Sequence, residues 1–505
     1  MTSLSHKFNR IFVRNLIYNL AGQGLPIVVA IFSIPMLING IGTERFGVLT
    51  LIWVVLGYAS IFDLGIGRAL TKIVAEYIGE EREEDIPPLI WTALLLMIVL
   101  GVVGTILLIA TSNYLVLDLL KVPKVLGLDT VNSFYIVALS IPIVISTAAL
   151  RGVLEAYQRF DLTNAIRIPM GIYTYLGPVA VLPFSKSLTS IVAVLVLGRV
   201  IALGIHFSMC FAVAPQFKER FEFRSKMVRP LISFGSLITV SNLISPIMTN
   251  MDRFFISAML SVSAVAYYTT PYDVVNKLAI IPDALMGVLF PALATSYVQD
   301  RTRATRLYES GLKGVLIVIF PITLVMVTFA KEGLQIWIGE EFAQHSTLVL
   351  QLLTIGILIN ALARVPFTLI QGVGRPDITA KLHLIELPVY LVSIWFLLRG
   401  YALKGAAIAW VLRASLDAIV LFVVAHKFLP IRKDRSVLLA LVILLSLVAL
   451  ATICFFNSLM DRAGIACITL VLFLLVSWFF VLEKADKNFA MGYFRHSNQP
   501  AAKKI

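Results

Sequence analysis

The chain has 505 residues, of which 59% are apolar and 14% charged, with a mean hydropathy of +0.91 and a formal net charge of +13. A soluble domain carries roughly 25% charged residues, so this composition excludes a globular surface that water could wet. What it permits is an all-α polytopic membrane protein.

Apolar runs of about 20 residues, each long enough to cross the hydrocarbon core as a helix, recur from end to end. They predict fourteen transmembrane helices, at 15–38, 46–66, 88–110, 133–151, 165–184, 188–213, 231–257, 265–298, 314–330, 347–370, 380–398, 402–425, 436–457 and 464–482. Lys7, Arg10 and Arg14 precede the first run in the manner of a signal peptide. That run passes 20 residues and no small-residue cleavage pattern follows, so it reads as span one. Cys210, Cys454 and Cys467 all fall inside apolar spans with no metal or redox spacing, and read as core residues.

With the N-terminus inside, the inner segments hold 29 basic residues, with clusters at Lys218–Arg229 and Arg301–Lys313. The outer segments hold only Arg45, Lys121, Lys124, Lys186, Lys331, Arg399, Lys404 and Arg462. This bias sets an orientation with both termini cytoplasmic and accounts for the positive charge without a nucleic-acid partner.

An internal repeat organises the chain. Shifted by 220 residues, Pro26 falls on Pro246, Ile61 on Ile281, Asp63 on Asp283, Gly67 on Gly287 and Tyr77 on Tyr297. Shifted by 216, Arg159-Phe-Asp161-Leu-Thr163 falls on Arg375-Pro-Asp377-Ile-Thr379, and at 214 Arg199 falls on Arg413. Six spans per half, an even number, give parallel repeats, a transporter architecture with a central site and alternating access. The expected divisions are a six-helix lobe at 1–225, a second at 226–428, two additional helices at 429–484 and a basic cytoplasmic tail at 485–505. Pro26 and Pro246 interrupt the first helix of each half and are candidate hinges, against the plainer reading of static kinks.

No nucleotide-binding loop, H-E-x-x-H or C-x-x-C occurs, so no cofactor is expected and ATP hydrolysis by this chain is excluded. A membrane-embedded polymerase or glycosyltransferase should show a large outer loop, and the one at 111–132 is modest. Arg199, Arg253, Lys277, Arg364 and Arg413 lie inside spans. Each arginine at mid-bilayer costs about 2.5–3.5 kcal/mol, so the set needs partners or a polar interior. Spare positive charge suits an anionic ligand, most naturally a phosphate or pyrophosphate held by arginine forks. The competing reading is inter-span ion pairing with Asp63, Asp283 or Glu386, or within one helix between Arg413 and Asp417. Asn15, Asn19 and Gln23 form an amide stripe on span one, and Asn242 and Asn250 add amides to span seven. Amides serve equally as interhelical glue or as partners for sugar hydroxyls. Tyr267, Tyr268 and Tyr272 read as an interfacial belt. Asp63, Asp283, Asp252 and Glu386 are the titratable candidates for ion coupling.

The runs Asn19-Leu-Ala-Gly-Gln-Gly24, Gly42-Thr-Glu-Arg-Phe-Gly47, Phe62-Asp-Leu-Gly-Ile-Gly67, Glu155-Ala-Tyr-Gln-Arg-Phe160 and Met251-Asp-Arg253 together resemble the bacterial oligosaccharide flippases. These belong to the multidrug/oligosaccharidyl-lipid/polysaccharide superfamily. The resemblance implies a V-shaped pair of six-helix lobes in the inner membrane. It implies translocation of an undecaprenyl-pyrophosphate-linked repeat unit to the outer leaflet for O-antigen, capsule or exopolysaccharide synthesis, with a polymerase and chain-length machinery as further partners. Arginines would then take the pyrophosphate, and amides the sugars. Cation-exporting relatives carry acids in the first helix, and span one has none between Asn15 and Asn39, which weighs against a multidrug antiporter. A lipid II flippase is the nearer alternative.

Overall fold

The computed structural model describes residues 24–219, 221–430 and 433–482, and every regular element among them is helical. By Cα proximity the chain forms two compact units, Met1–Thr269 and Thr270–Ile505. Among the described residues nine helices are long and apolar enough to cross a membrane, which makes this a multi-pass membrane protein. We propose fourteen spans for the whole chain, with lobes at 1–225 and 226–428.

The first unit runs through α1 (Gly24–Ile41), α2 (Thr43–Tyr58), α3 (Ile66–Gly79), α4 (Ile86–Asn113), α5 (Lys124–Ala156), α6 (Phe160–Val181), α7 (Leu188–Val213) and α8 (Ser225–Met259), and ends inside α9 (Val262–Asn276). The expected second span is broken. After α2 the chain turns through Leu64 (φ 48°) and Gly65 (φ 75°), and the Asp63 carboxylate accepts the Gly65 N–H at 2.7 Å. Asp63 thereby satisfies a donor that the broken helix leaves without a partner. Pro87 and Pro88 sit in the first turn of α4, where no intrahelical N–H is needed. Pro142 in α5 faces Gly101 of α4, and a Cβ at Gly101 would strike the Pro142 backbone. The glycine is what lets the two helices touch. Around them Leu70, Ile90, Met97, Ile145, Leu150, Cys210 and Phe217 form a continuous buried core.

Asp129, in the first turns of α5, clamps the start of α7. It accepts from the Leu188 and Thr189 backbone N–H groups at 2.8 and 3.0 Å and from the Ser187 and Thr189 hydroxyls at 2.6 Å each. This is an N-cap supplied by a neighbouring helix, doing what a local Asp would do.

The second unit continues with α10 (Ile280–Gln299), α11 (Arg301–Thr328), α12 (Ala330–Trp337), α13 (Glu340–Gly372), α14 (Pro376–Phe428), α15 (Lys433–Ile453) and α16 (Leu459–Val476). Its core joins Leu293, Leu316, Phe320, Leu358 and Val365 to Leu450 of α15 and Phe473 of α16, so the two additional helices pack on this unit. Arg462, buried at the head of α16, donates to the Thr328 carbonyl at 2.7 Å and to Glu332 at 2.6 Å. Helix α14 is a hairpin of two arms meeting at Ala402 (φ 48°, ψ −135°). Gly405 lies against the Leu397 carbonyl and the Leu398 nitrogen of the opposite arm, leaving no room for a side chain.

The repeat is visible in local geometry. Gln158 (φ 57°) and Gly374 (φ 82°) both turn the chain after a long helix. Arg159 N–H then returns to the Leu154 carbonyl at 2.9 Å, as Arg375 N–H does to Ile370 at 3.1 Å. Arg159 grips Asp161 through two bonds of 3.0 and 2.9 Å, and Arg375 grips Asp377 through two of 2.8 and 3.0 Å. Thr163 and Thr379 each cap the same turn, donating to the Phe160 and Pro376 carbonyls. Tyr77 and Tyr297 are likewise matched: Arg82 lies 4.2 Å over one ring and Arg301 3.5 Å over the other.

Candidate functional site

The sequence-predicted residues divide between the two units. In the first, Arg199 is a half-buried residue of α7, and no carboxylate pairs with it among the described residues. Arg253 and Asp252 are both buried on α8. One Asp252 oxygen accepts the Arg253 backbone N–H at 2.8 Å, and the other accepts the Tyr268 hydroxyl at 2.7 Å. Asn250 is buried and donates to the Thr249 hydroxyl at 2.9 Å. Asn15, Asn19 and Gln23 lie outside the described residues, as do the side chains of Asn242 and Pro246 within α8. Pro26 is on α1, beside Gly171 of α6.

In the second unit Arg364 of α13 pairs with Asp283 of α10. The repeat mates Asp63 and Asp283 thus do different work: one closes a backbone break, the other neutralises an arginine. Lys277 is exposed in the short 3₁₀ turn Lys277–Ala279 that joins α9 to α10. Arg413 lies over the rings of Tyr390 and Trp410, at 5.6 and 6.0 Å, and its buried Nε has no hydrogen-bond partner. The interfacial reading of the three tyrosines is overturned. Tyr267, Tyr268 and Tyr272 are all at least nine-tenths buried; Tyr268 serves Asp252 and Tyr272 meets Trp410 edge-on. Interfacial and core tyrosines have the same sequence signal, an aromatic near a helix end, and only packing separates them.

One constellation escaped the sequence reading. His383, Glu386 and Asp417 bring their side-chain donor atoms within 4.8 Å of one another, across the two arms of α14. His383 and Glu386 stand three apart on one arm and so share a face. Asp417 comes from the other arm, and its approach depends on the hairpin at Ala402. The i, i+3 spacing was legible; the hairpin register that adds Asp417 was not.

The comparisons agree with this architecture. A family model described as "Polysaccharide biosynthesis protein" matches residues 12–297. A Shigella flexneri protein named as a candidate O-antigen transporter is 33% identical over 411 residues, covering 81% of this chain and 96% of that one. Among solved structures, an inward-facing multidrug resistance MATE family transporter of the MOP superfamily aligns with a TM-score of 0.68 at 13% identity, over 81% of this chain and 97% of its own. A lipid II flippase in an inward closed conformation aligns at 0.67 and 14% identity, over 92% and 99%. At those identities the two structures speak to fold, while the family match and the Shigella relative speak to kinship. The aligned MATE transporter and lipid II flippase share this chain's fold, and the chain itself belongs to the polysaccharide biosynthesis protein family.

Proposed function

We propose that the chain moves an undecaprenyl-pyrophosphate-linked oligosaccharide repeat unit from the inner to the outer leaflet of the bacterial inner membrane, with both termini cytoplasmic. The observation that carries this reading is Arg199, a half-buried membrane-helix arginine with no carboxylate partner among the described residues. A cation kept in a low-dielectric span without a protein anion is expensive, and a substrate phosphate offsets that cost while loaded. The Shigella relative, named for O-antigen transport, supports the glycan class. Arg253, Arg364, Arg413 and Lys277 are proposed as further diphosphate contacts. The amides Asn15, Asn19, Gln23, Asn242 and Asn250 are proposed to face the sugars, and Pro26 and Pro246 to flex. A polysaccharide polymerase and its chain-length machinery are proposed to receive the product.

Arg199→Ala should abolish surface polysaccharide while leaving membrane-inserted protein at wild-type abundance. Arg199→Lys should restore export only in part, because lysine keeps the charge and loses the bidentate fork. Loss of protein in step with loss of export would assign Arg199 to scaffolding. Accumulation of lipid II in a deletion strain, with the repeat unit unaffected, would move the substrate to peptidoglycan precursor.

An ion gradient is proposed to drive the cycle. Asp63, Asp252 and Asp283 each already serve a protein group, through Gly65, Tyr268 and Arg364 respectively. Glu386 is buried with neither carboxylate oxygen hydrogen-bonded. Full transport by proteoliposomes in the absence of any ion gradient would discard coupling.

A further inference from the structure

Two carboxylates and an imidazole buried together in a membrane helix hairpin need an explanation. Glu386 is only 6% exposed and Asp417 8%, and both belong to α14, with His383 one turn before Glu386. Both Glu386 oxygens and one Asp417 oxygen are shut away from solvent without a hydrogen-bond partner. Burying one ionised carboxylate without compensation is strongly unfavourable, and burying two side by side adds mutual repulsion. Arg413 acts on both acids, but a single cation answers only one of the two charges. Its guanidinium lies over Tyr390 and Trp410, and no ion pair joins it to either acid among the described residues. The His383 ring is held nearly parallel to Phe367 of α13, 14° off at a centroid distance of 6.2 Å.

We propose that His383, Glu386 and Asp417 bind one divalent transition-metal cation. Two carboxylates supply the two negative charges that such an ion needs, and the neutral imidazole supplies a nitrogen donor. Metal–ligand bonds of about 2.0–2.2 Å set donor atoms no more than about 4.4 Å apart, so a separation within 4.8 Å closes with small side-chain rotations. The nitrogen donor fixes the class. Sodium, calcium and magnesium favour oxygen-only sites, whereas imidazole suits the later transition ions such as zinc, cobalt and nickel. Three protein ligands leave a further position for water, or for a group presented by a substrate. A bound ion would tie the two arms of the hairpin together at mid-length, since Glu386 lies sixteen residues before Ala402 and Asp417 fifteen after it. The assignment rests on this cluster alone and stands or falls independently of the lipid-linked glycan.

The test uses the full-length chain purified in detergent micelles, stripped with chelator and titrated with Co²⁺ and Zn²⁺. The expected result is saturable binding of one ion per chain, visible for Co²⁺ as d–d absorption and for Zn²⁺ by calorimetry. His383→Ala, Glu386→Gln and Asp417→Asn should each weaken binding at least about tenfold, while the exposed control Glu44→Gln leaves it unchanged. X-ray absorption of the zinc-loaded wild type needs no variant and should show a mixed oxygen and imidazole-nitrogen shell. Absence of saturable binding, an all-oxygen shell, or binding that survives the three substitutions would each overturn the site. So would selective Na⁺ binding with both divalent ions inert.

Discussion

At the scale of single residues, what separates the arginines is whether protein already answers their charge. Arg364 meets Asp283, and both side chains are partly exposed, at 36% and 52%. Removing one partner leaves the other charge unanswered on a membrane-spanning helix, whereas removing both leaves nothing to compensate. Arg364→Ala and Asp283→Ala should therefore each lower thermal stability in detergent, and the double variant should recover part of the loss. The expected coupling is about 0.5–3 kcal/mol, read by a double-mutant cycle. Strict additivity would show that the pair is decorative and that Asp283 does not hold Arg364 back from a ligand. The sequence exposed both residues as unusual, because charge inside an apolar run is conspicuous. It could not pair them, since 81 residues separate them along the chain. Asp63 was conspicuous for the same reason and turned out to satisfy a backbone N–H, a role that depends on the φ of Leu64 and Gly65 and leaves no trace in composition.

Elements were legible wherever apolar length alone decides, because a membrane helix must satisfy its own backbone and has few alternatives. Their ends and breaks were not. The second expected span reads as one apolar run yet is broken before α3, and α14 reads as two spans yet is joined through a single residue, Ala402. Caps were hidden as well, since the one at the head of α7 comes from Asp129, nearly 60 residues earlier. Two backbone N–H groups and two hydroxyls share that carboxylate. Asp129→Ala should cost about 1–2 kcal/mol, at the upper end for a lost cap, and should be seen as a lowered midpoint in thermal unfolding. Asp129→Asn keeps one acceptor oxygen and should cost less. Equal losses for the two substitutions would mean that α7 starts without help from α5.

For the whole molecule, the proposed orientation makes a direct demand. A cysteine placed at residue 5 or 500, in a background without Cys210, Cys454 and Cys467, should resist an impermeant thiol reagent added to intact cells and react once the cells are opened. Labelling of intact cells would reverse the orientation and, with it, the direction in which the basic segments face. The repeat behind that topology also has a mechanical corollary. The two elbows that follow α5 and α13 share hydrogen bonds and an Arg–Asp clasp, but one turns on Gln158 and the other on Gly374. A side chain at φ 57° sits in a narrow well about 1 kcal/mol or more above the ordinary helical one, whereas glycine moves through that region freely. Duplicated joints of equal shape therefore differ in compliance. Under the same load the joint at Gly374 yields first, and a protein built from two like halves bends as two unlike springs.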